Sequence, residues 1–151
     1  TTAQGVASRI LRSLTHRAVA RRLQFVTGHD TAGQLPPDID WRSIADQSAT
    51  TVIYMPARTI RALSDAALAH GLPHDTPALA VYNATRADEV VIEGSIASLP
   101  DLMATKERNG PVIVLIGRSM KGAGDEWTAL LPKPSEDAAL STRNAALAGS
   151  A

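Results

Sequence analysis

The sequence contains no cysteine. It therefore cannot form a disulfide, a zinc-thiolate site or a thiol nucleophile, and it fits a reducing compartment such as the cytoplasm. No apolar run approaches the roughly 20 residues that a membrane-spanning helix needs, so we expect no membrane contact. The first residues also lack an initiating methionine and a signal-peptide pattern, which predicts that this sequence is the inner part of a longer protein.

A charge surplus is also missing, because 15 basic residues balance 15 acidic ones. The sequence therefore gives no argument for a nucleic acid or an anionic membrane as partner, and a small molecule is the default. The chain has 151 residues, of which 44% are hydrophobic and 20% are charged, and this composition suits one globular domain. A chain of this length buries about two thirds of its unfolded surface, which is enough to form a core.

A short apolar run from Thr51 to Met55 stops at a proline and is followed by a helical pattern. Pro56 is expected to begin this helix, because the first helical amides have no partner in any case. Gly71 is expected to end it in a left-handed cap. In an open α/β sheet, small ligands bind beyond the carboxyl ends of the strands, so Tyr54, Met55 and Pro56 lie where a site would form.

The rest of the sequence alternates between helical and strand patterns. A helix is predicted from Thr2 to Leu11, a short one after Asp40 as N-cap, and another from Ser98 to near Gly110. Further strands are predicted at Leu23–Thr27, Ala78–Tyr82, Glu89–Ile96 and Val112–Ile116. The last strand has no polar side chain, which is typical of a strand covered on both faces. The prediction is a mixed α/β layer in which one pair of neighbouring strands is directly joined.

The pattern decays after Gly117 and Arg118. Residues 121–151 are therefore interpreted as a C-terminal extension. Its last part, from Ser135 to Ala151, is rich in alanine and serine without a persistent apolar stripe, so we expect a flexible tail.

Several separated motifs carry a family resemblance. They are Leu14-Thr15-His16-Arg17, Phe25-Val26-Thr27-Gly28-His29, Asp40-Trp41, Thr51-Val52-Ile53-Tyr54-Met55, His70-Gly71-Leu72-Pro73, Pro77 to Asn83-Ala84-Thr85, and Pro111 to Gly117-Arg118. In this order they resemble the C-terminal half of the uroporphyrinogen-III C-methyltransferases, which are tetrapyrrole methylases; the same module ends the bifunctional siroheme synthases. The similarity runs from Thr1 to about Met120, so residues 1–120 are interpreted as that C-terminal domain, with the N-terminal domain absent.

The resemblance implies a mixed-sheet α/β domain of a homodimeric two-domain enzyme that holds S-adenosylmethionine in the cleft between its domains. It implies methylation of two β-pyrrolic carbons of uroporphyrinogen III, which gives precorrin-2 for siroheme and cobalamin synthesis and S-adenosylhomocysteine as the second product. The family's acid/base candidates lie in the missing N-terminal half. No catalytic residue is therefore assigned here, and we expect the 151 residues alone to be inactive.

The resemblance places four cofactor contacts on this sequence. Thr1 and Thr2 match a threonine and a small residue that follow a Pro-Gly turn in the family. Met55 matches the methionine of a Tyr-Met-Gly motif, and Ala84 matches the glycine of an Asn-Gly-Thr motif. Two positions depart from the family, because Pro56 replaces the glycine after Met55 and Ala84 adds a methyl group. Without the resemblance, Met55 reads as packed core and the two threonines as helix caps.

Uroporphyrinogen carries eight carboxylates, which gives the basic connector from Arg12 to Arg22 a candidate role, since arginine holds carboxylates by bidentate hydrogen bonds. Arg17, inside a motif, is the predicted substrate contact. The alternative is that these arginines form a solvated face. We expect no metal site, because His16 and His29 have no second ligand at suitable spacing and cysteine is missing.

Two other functions stay open at this point. A later precorrin methyltransferase of the same family would share every feature above but would leave uroporphyrinogen III unmethylated. A non-enzymatic α/β dimerisation module would bind no cofactor.

Overall fold

The structure, a computed structural model, describes residues 1–121. The predicted flexible tail from Ser135 to Ala151 lies outside the described residues. The α-helices are α1 (Thr2–Arg9), α2 (Trp41–Ile44), α3 (Ile60–Ala69) and α4 (Leu99–Ala104). The strands are β1 (Arg22–Thr27), β2 (Ala49–Tyr54), β3 (Pro77–Tyr82), β4 (Val90–Ser95) and β5 (Val112–Ile116), and a short 3-10 helix follows at Arg118–Met120.

The strands form one mixed sheet in the order β1-β2-β5-β3-β4. β1 and β2 are parallel, whereas β5 is antiparallel to both of its neighbours and β4 is antiparallel to β3. The last strand within residues 1–121 is therefore the central one, and all five of its residues are buried, as its unbroken apolar run predicts. The predicted mixed α/β fold, with direct pairing of β3 and β4, is confirmed.

Alternate side chains of the strands build two separate cores, one on each face of the sheet. On one face, Ile53 and Val114 pack with Leu63 of α3 and Leu99 of α4. On the other face, strand residues that include Leu115 pack with α1 and the 3-10 helix; the buried members are Ala3, Val6, Val52, Leu79, Val81, Ile113, Leu115 and Met120. None of the helices within residues 1–121 combines the length and the apolar composition that crossing a lipid bilayer requires.

The ends of the helix after β2 differ in how well the sequence predicts them. Gly71 does end α3 in the left-handed region, with φ of 93° and its N–H donating to the carbonyl of Leu68 over 3.0 Å. The predicted start at Pro56 is wrong, because α3 begins at Ile60. The carbonyl of Pro56 accepts hydrogen bonds from the N–H groups of Thr59 and Ile60, at 3.0 and 2.8 Å, so the proline opens a turn that precedes the helix.

α4 is also shorter than predicted, since it ends at Ala104 and does not reach Gly110. Residues 104–107 are exposed and present no apolar side chain larger than alanine, so no packing holds a further turn. Instead, the hydroxyl of Thr105 donates to the carbonyl of Leu102 over 2.8 Å, and the guanidinium of Arg108 donates to the carbonyl of Lys106 over 2.9 Å. These local bonds close the helix and lead the chain towards β5.

Candidate functional site

The strand directions bring several chain segments to one edge of the sheet. β1, β2 and β3 end at this edge, and β4 and β5 begin there. Met55 follows β2, and its N–H donates to the carbonyl of Val112 over 2.9 Å. Asn83 follows β3, and its N–H donates to the carbonyl of Pro111, also over 2.9 Å. Met55 and Ala84 therefore lie on either side of the start of β5.

Met55 is held in a conformation that its residue type rarely adopts. Its φ is 56°, in the left-handed region, and its side chain is 46% exposed. The following residue, Pro56, ordinarily pushes the preceding residue towards extended conformations, so the turn is strained on two counts. Strain of this kind persists where the surroundings impose it, and it is concentrated at binding and active sites. The half-exposed thioether is not the packed core residue that composition alone would suggest.

Ala84 is partly buried against the core that contains α1. Left-handed φ values occur on both sides of it, at Asn83 with 50° and at Thr85 with 66°, but Ala84 is not in that region. The methyl group that replaces the family's glycine therefore causes no backbone strain. Its effect is limited to the space that it takes from a ligand approaching this loop.

The first turn of α1 lies beside the loop that carries Ala84. A Cβ on Gly5 would lie 3.3 Å from the Cγ2 methyl group of Thr85, so the helix and the loop are in close contact. Thr1 is the N-cap of α1, and its carbonyl accepts from the N–H of Gly5 over 3.2 Å. Thr1 and Thr2 are both exposed. Three of the four predicted cofactor contacts, Thr1, Thr2 and Ala84, thus belong to two adjoining segments.

Arg17 is placed differently. It is exposed and lies in a tight turn that is closed by a hydrogen bond of 2.7 Å from the N–H of His16 to the carbonyl of Ala20. This turn leads into the amino end of β1, whereas the predicted cofactor contacts gather where β1 ends. Two neighbours in the basic connector are already paired with carboxylates, Arg12 with Glu93 at 2.8 Å and Arg22 with Asp46 at 2.7 Å.

No local sequence pattern predicts the contact that joins the ends of β1 and β2. The N–H of Gly28 donates to the carbonyl of Tyr54 over 2.7 Å, and the buried hydroxyl of Thr59 donates back to the carbonyl of Gly28. A Cβ on Gly28 would lie 2.8 Å from the Cα of Pro56. Gly28 is therefore required for the close approach that sets the turn at Met55 and Pro56.

Electrostatics at this edge centre on Glu89, which stands just before β4. Its carboxylate accepts a hydrogen bond from the N–H of Thr85 and lies 3.3 Å from the guanidinium of Arg9 on α1. The bond from Thr85, followed by the pairing with Arg9, holds the pKa of Glu89 below its usual range, although partial burial acts in the opposite direction. Glu89 thereby connects α1 to the Ala84 loop through a charged group.

A titration should reveal this role of Glu89. Because its pKa is lower in the folded than in the unfolded state, its stabilising contribution is complete above the unfolded-state pKa, about 4.3. That contribution is lost as the pH falls through the folded-state value. We therefore expect Glu89→Gln to reduce stability at pH 7 and to reduce it less near pH 3. Urea unfolding at both pH values measures this, and an equal difference at both would contradict the assignment.

A groove of about 340 Å³ lies between β1 and the segment that leads into α2. It is lined by Gln24 to Thr27, Pro36, Asp38 to Asp40, Ser43 and Ile44, so it contains none of the predicted site residues. We therefore locate the candidate site at the strand-end edge and not in this groove. Across residues 1–121, His, Asp and Glu side chains form no group of three that could hold a metal ion.

Comparison with known proteins supports the family resemblance of the sequence motifs. The family model described as Tetrapyrrole (Corrin/Porphyrin) Methylases matches residues 1–100. A siroheme synthase from Thiobacillus denitrificans is 37% identical over 121 residues, which is 80% of this chain and 25% of that protein. A uroporphyrinogen-III C-methyltransferase from Paracoccus denitrificans is 35% identical over 125 residues, 83% of this chain and 43% of that protein. The chain thus spans less than half of the length of either relative.

Solved structures give the same fold. The uroporphyrin-III C-methyltransferase from Thermus thermophilus superposes with a TM-score of 0.61 at 29% identity, over 88% of this chain and 53% of that one. A structure of the Thermus thermophilus enzyme complexed with S-adenosylhomocysteine superposes with a TM-score of 0.60 at 23% identity, over 77% of this chain and 49% of that one.

Proposed function

Because the chain belongs to the tetrapyrrole methylase family, we propose that it forms the C-terminal half of an S-adenosylmethionine-dependent uroporphyrinogen-III C-methyltransferase. The product is precorrin-2, which feeds siroheme and cobalamin synthesis, and the second product is S-adenosylhomocysteine. The observation that carries the proposal is the gathering of Met55 and Ala84 on either side of the start of β5, in turns at the strand ends that contain left-handed residues. Ligands of open α/β sheets bind in such positions.

The residues at this edge fit the cofactor. The half-exposed thioether of Met55 is polarizable and can pack against a flat adenine or tetrapyrrole ring. Ala84 is small, so a ligand can approach the main chain of its loop. The exposed Thr1 and Thr2 stand on the helix beside that loop and complete the proposed contacts.

S-adenosylmethionine supplies an electrophilic methyl group on a positively charged sulfur. The chain's residues need no covalent nucleophile for such a transfer; they orient the reactants and keep water away. Met55 and Ala84 would form one wall of the slot that holds the cofactor, and the other wall belongs to the proposed N-terminal domain. The acid/base groups are proposed to lie in that domain.

Arg17 is proposed as the contact for a substrate carboxylate. Within residues 1–121, Arg17 and Arg21 form no ion pair, whereas Arg12 and Arg22 are paired with the protein's own carboxylates. An unpaired exposed guanidinium is available for bidentate binding of a carboxylate. Because Arg17 lies towards the amino end of β1, this contact would be made by an outlying part of a large substrate.

The proposal includes a cytoplasmic homodimer. The lack of cysteine fits a reducing compartment, and the dimer follows from the family resemblance. Light scattering of the complete protein tests the second point, and a monomer would contradict it.

Methylation assays of two polypeptides test the proposal. We expect the complete protein to bind S-adenosylhomocysteine in calorimetry and to methylate uroporphyrinogen III, while the 151 residues alone give little or no turnover because half of the cleft is absent. Robust methylation by the 151 residues would overturn the two-domain proposal. A complete protein that methylates a later precorrin and leaves uroporphyrinogen III unchanged would be a different member of the family. A stable dimer without cofactor binding would be a dimerisation module.

A further inference from the structure

Asn83 is a buried polar residue that the proposed site does not yet explain. It follows β3 directly, it is 8% exposed, and its φ of 50° lies in the left-handed region. Its side-chain Nδ2 donates to the carboxylate of Asp88 over 2.8 Å and to the main-chain carbonyl of Asn109 over 3.2 Å. One carboxamide therefore joins the loop after β3 to the segment that leads into β5. We call these two hydrogen bonds the tie.

The orientation of this carboxamide is fixed by its neighbours. The groups at Asp88 and Asn109 are both acceptors, so the NH₂ group must face them. Oδ1 is then turned towards Gly110, where it is buried and accepts no hydrogen bond from the described residues. A Cβ on Gly110 would overlap Oδ1, so the two segments are in direct contact at this point. A buried acceptor without a partner is unfavourable, and the surrounding contacts must compensate for it.

Asparagine meets two demands here that other residues meet singly. It tolerates the left-handed region better than most non-glycine residues do, and its side chain donates two hydrogen bonds over a short reach. Glycine would adopt the same backbone conformation, but it has no side chain that could donate the two hydrogen bonds. Aspartate would satisfy the shape, but it would place a second carboxylate against Asp88.

We infer that Asn83 is a positioning residue, whose carboxamide holds the adjoining Ala84 at the distance from Met55 that the cofactor requires. The main chain supports this inference, because Asn83 and Met55 bond to the consecutive carbonyls of Pro111 and Val112. Movement of the segment before β5 would therefore shift both sides of the slot. The inference rests on the proposed function, since it concerns how the same site holds its cofactor.

The test compares S-adenosylhomocysteine binding by variants of the complete protein in calorimetry. Asn83→Gly keeps the left-handed turn but removes the tie, and we expect its Kd to rise by about 10-fold, the scale of losing one or two hydrogen bonds. Asn109→Ala is the matched control, because the tie uses the main-chain carbonyl of that residue and not its exposed side chain. We expect it to bind as the wild type does.

Charge variants separate the tie from a general loss of structure. Asn83→Asp should bind still more weakly at pH 8, because two carboxylates then oppose each other, and should recover as the pH falls towards 5 and one proton is shared between them. The neighbouring elements carry further charged residues, which are Arg86 and Glu89 on the same loop, Arg9 on α1, and Lys106, Glu107 and Arg108 before β5. Adding Asp88→Asn to Asn83→Asp should restore part of the affinity at pH 8, since the donor and the acceptor are exchanged.

Each outcome has a distinct meaning. Suppose that the wild type binds S-adenosylhomocysteine and that the Kd values of Asn83→Gly and Asn83→Asp lie within twofold of the wild-type value. This result would overturn the inference and leave the proposed function standing. Failure of the exchanged pair to bind better than Asn83→Asp alone, at equal melting temperature, would also overturn it. A wild-type protein that binds no S-adenosylhomocysteine would instead refute the proposed function.

Discussion

Replacing Gly28 with alanine is expected to lower the free energy of unfolding by about 1–3 kcal/mol, the usual cost of overpacking. The added Cβ would lie 2.8 Å from both the Cα and the Cβ of Pro56 and 2.9 Å from the carbonyl oxygen of Tyr54. Two of these atoms are main chain, so the strand ends must separate. Because Met55 lies between Tyr54 and Pro56, we also expect weaker binding of S-adenosylhomocysteine by the complete protein. Urea unfolding and calorimetry measure the two effects.

A second substitution checks the cause. Pro56→Gly removes one of the colliding atoms and restores the glycine that follows the methionine in the family, so adding it to Gly28→Ala should recover part of the stability. Main-chain contacts to the Cα of residue 56 and to Tyr54 remain, and the recovery should therefore be incomplete. If Gly28→Ala alone were as stable as the wild type, the close approach of the two strand ends would be refuted.

The largest loss of stability is expected from Leu115→Ala, at about 2–5 kcal/mol. Leu115 is 0% exposed on the central strand, and it pairs with Val52 on β2 and with Leu79 on β3. Removing its side chain would leave a cavity between the sheet and α1 that neighbouring strands are too constrained to fill. Urea unfolding of the wild type and the variant measures the difference.

Val91→Ala is the matched control for this core substitution. Val91 lies on the edge strand β4 and is 37% exposed, so its truncation removes little buried surface. We expect a loss below about 1 kcal/mol, in line with substitutions away from the core. Equal losses for Leu115→Ala and Val91→Ala would contradict the central position of β5.

Local patterns in the sequence were sufficient for several elements. The unbroken apolar run of β5 predicts burial on both faces, and Gly71 predicts the end of α3, because each signal depends on residues that are neighbours in sequence. Asp40 behaves in the same way, since its side chain accepts from the N–H of Ser43 and starts α2. The start of α3 was mispredicted because a proline fits a turn as well as it fits a first helical turn.

Features that depend on distant residues could not be predicted in this way. The salt bridge between Arg12 and Glu93 joins residues that are 81 positions apart, and Arg12 looked like a free cation in the sequence. The tie at Asn83 likewise depends on the position of Asn109, 26 residues later. The meeting of Met55 and Ala84 at one edge follows from the insertion of β5 between β2 and β3, which no local pattern specifies. As cofactor contacts, Thr1, Thr2, Met55 and Ala84 stay predictions.

The central position of β5 affects how the polypeptide folds during its synthesis on the ribosome. Until residues 112–116 leave the exit tunnel, the sheet can form only as two separate two-stranded pieces, β1 with β2 and β3 with β4. The inner edges of these pieces have unpaired N–H and C=O groups. Insertion of β5 closes both edges in one step between segments that are far apart in sequence, and such pairing is slow. A nascent chain that is truncated before β5 therefore exposes two open strand edges, where chaperones or other unfinished chains would bind.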